Sequence, residues 1–418
     1  MVEVTTTVTA RLYPTEEQAA LLEEYTREYT AVLNHVSDIA YRTQCSRFRT
    51  IHDDHYYELR RLYRLGAQAV ISAEKETVAK YKAVHAHKSK ADKWKNPVRF
   101  RKHTSTLVYS RDYSLKCRDG QWEASVPSLH GRVKIEVKGV EDLNDPDIRL
   151  GTATMQFRHG KWLLRIPATR EVDSVPLTEV DNVVGVDMGL RFLATSYDSK
   201  GNTTFHRGGE VKNTRAKYKL LRRDLQRKGT PSSRRKLRKI GSRESRWMSN
   251  VNHIVAKALV AQAGTSGLIV VEDLTGIRTV TESVRRKDRY TQVSWAFYDL
   301  RQKIEYKAAL NGSIVIAVDP RYTSQMCPKC GHTEKGNRTQ SKHVFCCKRC
   351  GYTSNDDRVA AMNLHAKGIQ YRVQTTLSTS EGDGLLSTSP DAPPIQGGKA
   401  LVACYTSGQE QTPSVRAG

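Results

Sequence analysis

No run of 18 consecutive apolar residues occurs in this 418-residue sequence, so a membrane-spanning helix is not expected. Met1 to Leu12 lack a basic stretch followed by an apolar one, so a secretory signal is not expected either. Both readings favour a cytoplasmic protein with no membrane partner. Acidic residues are scarce: 44 Asp and Glu stand against 68 Lys and Arg, for a net charge of +24. The basic residues are spread along the chain rather than gathered beside an apolar anchor. A deficit of acid on that scale points to a nucleic-acid partner before an anionic membrane. A disulfide framework is also missing. Four of the eight cysteines form two CxxC pairs, and Cys45, Cys117, Cys346 and Cys404 are scattered, as in a reducing compartment with one metal site.

What is present divides the chain into stretches of different period. Residues 3–12 alternate like a strand. From Pro14 and Thr15, apolar residues recur at helical spacing (Ala19, Leu22, Tyr25, Tyr29, Val32, Leu33, Val36), and a second helical region is predicted over 53–85. Residues 13–90 therefore read as a helical bundle. A basic connector, 86–104, leads to short β segments over 105–170. Asp119-Gly120 and His159-Gly160 there signal hairpin turns, and the segments suggest a β-barrel or open sheet that strand 3–12 could join. From 183, VVGVDM, RFLATSY and TTFH read as three strands. Between Arg207 and Arg246 there are 16 Lys or Arg and three acids. An amphipathic helix over 246–263, a buried strand 268–272, a helix 295–310 and a buried strand 313–318 follow, then a final helix 355–367. The stretch 371–418 has no periodic apolar face, is rich in Ser, Thr, Gly and Pro, and reads as a disordered tail.

Cys327-Pro-Lys-Cys330 and Cys347-Lys-Arg-Cys350 are each followed by glycine. Two such knuckles bring four thiolates into a tetrahedron suited to one structural zinc, and glycine permits the tight turn that aims amides at sulfur. A closed four-cysteine site has no open position for catalysis. Cys346 stands at the wrong spacing to be a ligand. Three acids stand apart from the rest: Asp187 after the apolar strand VVGV, Glu272 after LIVV, and Asp357 at the start of the last helix. Singly, each has an ordinary use as a turn residue, a cap or a complement to the helix dipole. Together, carboxylates on strand ends and a helix start can hold two divalent ions for phosphodiester cleavage. Magnesium suits such oxygen ligands.

GVDMG (185–189), VVEDL (270–274), CPKCG…FCCKRCGY and SNDDRVAAMNL (354–364) resemble the TnpB family of transposon-encoded RNA-guided DNA endonucleases, relatives of the compact type V CRISPR effectors. Arg243, Asn252, His253 and RYTSQMC (321–327) add to the likeness, which is specific over about 183–367 and rests on domain order before that. The resemblance implies a multidomain α+β chain. Its core would be an RNase H-like (RuvC) α/β nuclease, 181–322 and 352–370, with an inserted zinc ribbon, 323–351. An N-terminal wedge β-barrel (1–12 and 91–180) and a helical recognition domain (13–90) would precede it. In an RNase H-like topology the first strand is central, the Glu272 strand lies beside it, and the closing helix returns to the same edge. The catalytic, magnesium-holding residues would be Asp187, Glu272 and Asp357, and the zinc ligands Cys327, Cys330, Cys347 and Cys350. Asp356 departs from the family's pattern, which has a small residue there.

The implied partners are a guide RNA and double-stranded target DNA bearing a short adjacent motif. The implied form is a monomer with RNA in a prokaryotic, nucleoid-associated setting. Gln68 and Lys75 are candidates for reading the motif, and Tyr290, Trp295 and Tyr298 for stacking on bases. The basic helices of 207–246 would line the guide–target duplex. The end of such a gene overlaps the template of the guide, so the tail's DNA rather than its peptide would be constrained. Three rival functions remain open to the sequence: a guided repressor that never cuts, a transposase that cuts without a guide, and a zinc-ribbon RNA-binding protein with no magnesium-dependent activity.

Overall fold

The computed structural model describes residues 2–86, 93–101, 103–173, 175–189, 191–273, 297–339, 341–380 and 399–400. The chain divides into two compact units, one formed by residues 5–171 and the other mainly by residues 172–403. No helix among the described residues is long and apolar enough to cross a membrane.

The first unit opens with strand β1 (Val2–Tyr13) and helix α1 (Glu16–Thr43). Thr15 starts α1 through a reciprocal cap: its hydroxyl accepts from the Gln18 amide at 3.2 Å, and its own amide donates to Gln18 Oε1 at 3.1 Å. The helical region predicted over 53–85 is two helices, α2 (Phe48–Leu62) and α3 (Ala67–His85). The chain turns between them because Leu65 is buried and Gly66 begins α3, its carbonyl accepting from the amides of Ala69 and Val70. Seven further strands follow: β2 (Thr104–Leu107), β3 (Ser114–Arg118), β4 (Gln121–Ser128), β5 (Gly131–Lys138), β6 (Arg149–Leu150), β7 (Ala153–Arg158) and β8 (Lys161–Val172). The sheet order is β2-β7-β8-β1-β5-β4-β3, with β6 on β8, so the first strand does join it. Asp119-Gly120 and His159-Gly160 have positive φ and close the β3–β4 and β7–β8 hairpins. Leu22, Tyr29, Leu33 and Val36 of α1 share one core with Leu107, Val126, Ile135, Met155 and Ile166 of the sheet.

The second unit is a sheet covered by helices on both faces. Strands β9 (Asn182–Asp187), β10 (Phe192–Asp198) and β11 (Thr203–Arg207) run antiparallel in succession. After helices α4 (Gly209–Lys228) and α5 (Pro231–Ala263), strands β12 (Gly267–Glu272) and β13 (Ile314–Val318) run parallel to β9, with helix α6 (Phe297–Leu310) between them. The order is β11-β10-β9-β12-β13, so the unit's first strand is central. Val183, Leu268 and Val270 face one side, Val184, Val186, Ile269 and Val271 the other. Strands buried on both faces are apolar throughout, as parallel pairing requires.

The amphipathic helix predicted to begin at 246 is the second half of α5, a single helix of 33 residues. Pro231 stands in its first turn and Thr230 caps it. Its basic half packs on α4, where the buried Glu244 sits between Arg215 and Arg222. Three short strands, β14 (Arg338–Thr339), β15 (Val344–Cys346) and β16 (Thr353–Asn355), form the cysteine-bearing segment, and helix α7 (Asp356–Ser380) closes the unit.

The reading of 371–418 as disordered is corrected for its first ten residues, since α7 runs through Ser380. Tyr371 packs against the sheet with Ile369, and Arg372 donates to the Val180 carbonyl at 2.8 Å. Lys399–Ala400 (β17) adds an antiparallel edge to β13. The rest of that stretch lies outside the described residues.

Candidate active site

The three acids come together because one helix lies almost on the sheet's backbone. On β9, Val183 and Gly185 face α7, and Val184 and Val186 face α5 and α6. Strand alternation then turns Asp187 to the α7 side. The same alternation on β12 turns Glu272 to that side. The two strands pair in parallel register up to Val186 and Val271, so Asp187 and Glu272 are the next residues on neighbouring strands, about 5 Å apart along the backbone. They stand at the carboxyl ends of parallel strands, where α/β sheets bind ligands. A Cβ on Gly185 would lie 2.2 Å from the Ala361 carbonyl oxygen, and one on Gly368 would lie 2.4 Å from a Val270 methyl. Helix α7 can therefore rest on β9 and β12 only where those positions are glycine. That seat delivers the helix's first turn, with Asp357, to the strand ends.

Asn355 starts α7, its Oδ1 accepting from the amides of Asp357 and Arg358 at 3.1 Å each. The two adjacent acids then separate in role. Asp356 is fully buried, and its Oδ2 accepts from Arg338 Nε at 2.9 Å. Asp357 is only half-buried, and its Oδ2 has no hydrogen-bond partner among the described residues.

The electrostatics are those of crowded acids. Burial, and then the charges of Glu272 and Asp357, push the Asp187 carboxyl well above its ordinary range, with Arg338 opposing. Burial also raises Glu272, against a 2.8 Å hydrogen bond from the Thr323 hydroxyl and the charges of Lys367 and Arg338. Burial and Asp356 raise Asp357, and Arg338, His343 and Arg191 oppose this. A bare buried carboxylate oxygen costs about 1–3 kcal/mol, and a hard divalent cation would satisfy it. The donor set thus fits such ions. His343, Asp356 and Asp357 gather ligand atoms within 4.8 Å, and Asp187 and Glu272 fall outside that group. A gap wider than one ion's shell is compatible with two ions roughly 4 Å apart.

The four cysteines form a tighter site. Cys327 and Cys350 sulfurs are 3.6 Å apart, as are those of Cys330 and Cys347. A zinc tetrahedron with bonds near 2.3 Å has edges of about 3.8 Å, so the cluster can hold zinc. The two knuckles match: Gly331 and Gly351 have φ of 72° and 71°, and their amides donate to the carbonyls of Cys327 and Cys347 at 2.9 and 3.0 Å. Burial works against ionisation of Cys347, but amides of Cys350 and Arg349 and neighbouring thiols bring its pKa down to about 6. Cys346 is exposed and outside the cluster. Phe345 packs with Cys327, Cys347 and Val359 of α7, so the segment is pinned to the helix that carries Asp357.

Arg338 was not singled out by sequence. Its basic neighbours made it one charge among many; only the fold brings it, on β14 of the cysteine segment, to the three acids. Thr323, Asn363 and Lys367 were missed because their partners lie 37 to 51 residues away along the chain. Asn363 donates to the carbonyls of Thr323 and Met326 at 2.6 and 2.8 Å, and Lys367 to those of Asp319 and Arg321. These bonds hold the 319–326 segment, with its Thr323, over Glu272. Arg243, Asn252 and His253 are not brought to the acids. They lie on α5, across the sheet, where Asn252 bonds Asp299 at 2.7 Å and His253 meets the Tyr306 hydroxyl at 3.2 Å. In the first unit Gln68 bonds Ser72 and Arg111, and the Lys75 ammonium lies 5.3 Å above the Phe48 ring. Tyr298 is exposed; Tyr290 and Trp295 lie outside the described residues.

Known families match along this second unit. A model described as a probable transposase (OrfB_IS605) matches residues 166–278, and one described as the Cas12f1-like TNB domain matches residues 297–364. In sequence the chain is similar to TnpB-like and Cas12f proteins. It is 32% identical over 223 residues to a CRISPR-associated endodeoxyribonuclease Cas12f1 of Syntrophomonas palmitatica, covering 50% of this chain and 43% of that one. It is 29% identical over 195 residues to the TnpB-like protein MJ0751 of Methanocaldococcus jannaschii, covering 45% and 69%. The chain spans about half the length of the Cas12f1 relatives it matches. In fold it is similar to the protein of a Cas12f1-sgRNA-target DNA complex, with TM-score 0.59 and 14% identity over 84% of this chain and 83% of that one. It is also similar to the mini-RNA-guided endonuclease CRISPR-Cas phi3, with TM-score 0.54 and 11% identity over 88% and 92%. These likenesses give the chain a multidomain α+β fold of the Cas12 and TnpB kind.

Proposed function

We propose that the chain is a metal-dependent, RNA-guided DNA endonuclease. The observation that carries this is the meeting of Asp187, Glu272 and Asp357 on one face of the second unit's sheet, with raised pKa values and a bare buried oxygen on Asp357. The strand order, with β9 central and β12 and β13 parallel beside it, supports an RNase H-like (RuvC) core. Asp187, Glu272 and Asp357 would hold two magnesium ions. Bound there, the ions would activate a water and stabilise the leaving oxygen.

The chain's own groups would do the rest. Thr323 orients Glu272, Asn355 orients the first turn of α7, and Arg338 keeps Asp356 occupied so that Asp357 faces the gap. Cys327, Cys330, Cys347 and Cys350 would hold one structural zinc and keep that ribbon against α7. The exposed lysines and arginines of α4 and α5 would follow a nucleic-acid backbone. The first unit would serve as wedge, from its sheet, and recognition domain, from α1 to α3. Partners would be a guide RNA, which confers sequence specificity by pairing, and target DNA with an adjacent motif. The setting would be the cytoplasm of a prokaryote, at the nucleoid.

The match to a probable transposase model favours a second reading, a transposase that cuts DNA ends unaided. One experiment separates the two. The protein is purified from cells carrying its neighbouring DNA, the bound RNA is sequenced, and DNA matching that RNA is offered with magnesium. Cutting that needs both the RNA and magnesium, and that is lost in Asp187→Ala, is the expected result. RNA-free cutting would support the transposase. An intact Asp187→Ala activity would remove the acids from the mechanism.

A further inference from the structure

The row of side chains that begins at Asp187 continues across the sheet to an exposed ring. Asp187 pairs with Thr195 on β10, and Thr195 pairs with Phe205 on β11. Directly opposed residues of antiparallel strands point to the same face, so Asp187, Thr195 and Phe205 form one row on the α7 side. Two strand spacings separate Asp187 from Phe205, about 10 Å. Phe205 is 37% exposed, on the outermost strand, and its ring centroid lies 4.8 Å from that of Phe192, tilted by 51°. The β10–β11 register shifts between Phe192 and Ala194, a bulge that re-aims Phe192 toward Phe205. Thr195 is 1% exposed and its hydroxyl has no hydrogen-bond partner among the described residues. Arg191, which acts on the charge of Asp357, has its guanidinium 5.3 Å from the Phe192 ring. Arg207 is exposed at the end of β11.

Outward from the acids the row therefore runs from the Asp187 carboxylate, past the buried Thr195, to a ring pair edged by arginines. We propose that Phe205, backed by Phe192, is a stacking shelf for a base of single-stranded DNA beside the phosphodiester held at the acids, with Arg191 and Arg207 meeting the flanking phosphates. Stacking on an aromatic face accepts any base, as a nuclease directed by a guide requires. Phe205 here positions the strand and takes no part in bond breaking. The inference rests on the nuclease reading above.

The test uses the full chain with its co-purified RNA and labelled single-stranded oligonucleotides matching that RNA. In one series, single abasic sites are walked past the cut; in another, 2-aminopurine replaces the base at each position. Phe205→Ala should cut about tenfold or more slowly with an unchanged melting temperature, and Phe205→Trp should restore the rate. One abasic position should slow the wild type equally and leave Phe205→Ala no slower. At that position 2-aminopurine should be quenched by the wild type and not by Phe205→Ala. Equal rates in Phe205→Ala and wild type, an abasic series without a minimum, or abasic and Ala losses that simply add would each overturn the shelf. The fluorescence reads the stack without cutting. Quenching by a wild type that never cuts would sink the nuclease reading and keep the shelf, and cutting without quenching would do the reverse.

Discussion

Residue by residue, the decisive asymmetry is between two neighbouring aspartates. The family resemblance set Asp357 in the acidic trio and left Asp356 as a departure from the pattern, because two adjacent acids at a helix start look alike in sequence. Burial separates them. Asp356 is sealed and bonded to Arg338, whereas Asp357 keeps a bare oxygen. Asp357→Asn should abolish magnesium-dependent cutting. Asp356→Asn should act through Arg338, weakening magnesium dependence by roughly 10–100-fold as loss of an outer partner does; titrating cleavage rate against magnesium for both variants distinguishes them. If Asp356→Asn were the dead one, the assignment would reverse. Away from the site, Glu76 is half-buried and accepts from Tyr29 and Thr106 at 3.1 and 2.7 Å. Burial wins over those bonds and raises its pKa above the ordinary 4.5. The folded chain thus holds that proton more tightly than the unfolded chain. The stability contributed is whole below about pH 4.5 and is lost as pH rises through the raised folded value. Glu76→Gln keeps an oxygen for both donors and carries no charge, so it should melt higher than wild type at pH 7 and converge with it near pH 4. Thermal melts across that range check this; a gap that widened toward acid would refute it.

Among the elements, the contact of α7 with β9 governs the site. GVD was legible in the sequence as a strand end with an acid, but the reason for its glycine was not, since the partner lies at Ala361 and His365, far along the chain. Gly185→Ala would put a methyl within 2.4 Å of two backbone atoms, neither of which can swing aside. The helix must lift, at a cost of about 1–3 kcal/mol or more, and Asp357 lifts with it. Cutting should fall much further than stability, because a displacement of about 1 Å at a reacting centre can cost 10²-fold. Melting temperature and cleavage rate measured on one preparation test this, and an active Gly185→Ala would show that α7 is not seated as described. Local pattern was a weaker guide wherever charge hid packing. The amphipathic half of α5 was visible from its apolar period. Its basic half was not recognisable as the same helix, since it meets α4 through Glu244 and two arginines rather than through an apolar stripe. The division of α2 from α3 was hidden the opposite way, by apolar residues that kept period across a turn.

For the whole molecule, the net charge of +24 and the order of strands, acids and cysteines already pointed to a nucleic-acid enzyme, because those features are written in residue type and spacing. The boundary of the last element was not so written. Residues 371–380 carry few apolar side chains, and only contact with the sheet shows them to be helix: Tyr371 packs beside Ile369, and Arg372 bonds the Val180 carbonyl. This changes how the notion of a dispensable tail has to be tested. If the last codons are constrained by a guide RNA's template and not by the peptide, a chain ending at Ser380 should cut as well as the full chain when the RNA is supplied separately. Among the described residues, removing 381–418 takes away a two-residue pairing on the outer edge of β13. A chain ending at Gln370 loses Arg372 and the last turns of α7 over Val180, on the helix that bears Asp357. It should melt several degrees lower and cut more slowly at equal RNA. Running both truncations side by side separates peptide from template: failure of the Ser380 chain would give the tail a role as protein, and equal performance of the two would mean that α7 is anchored without its final turns.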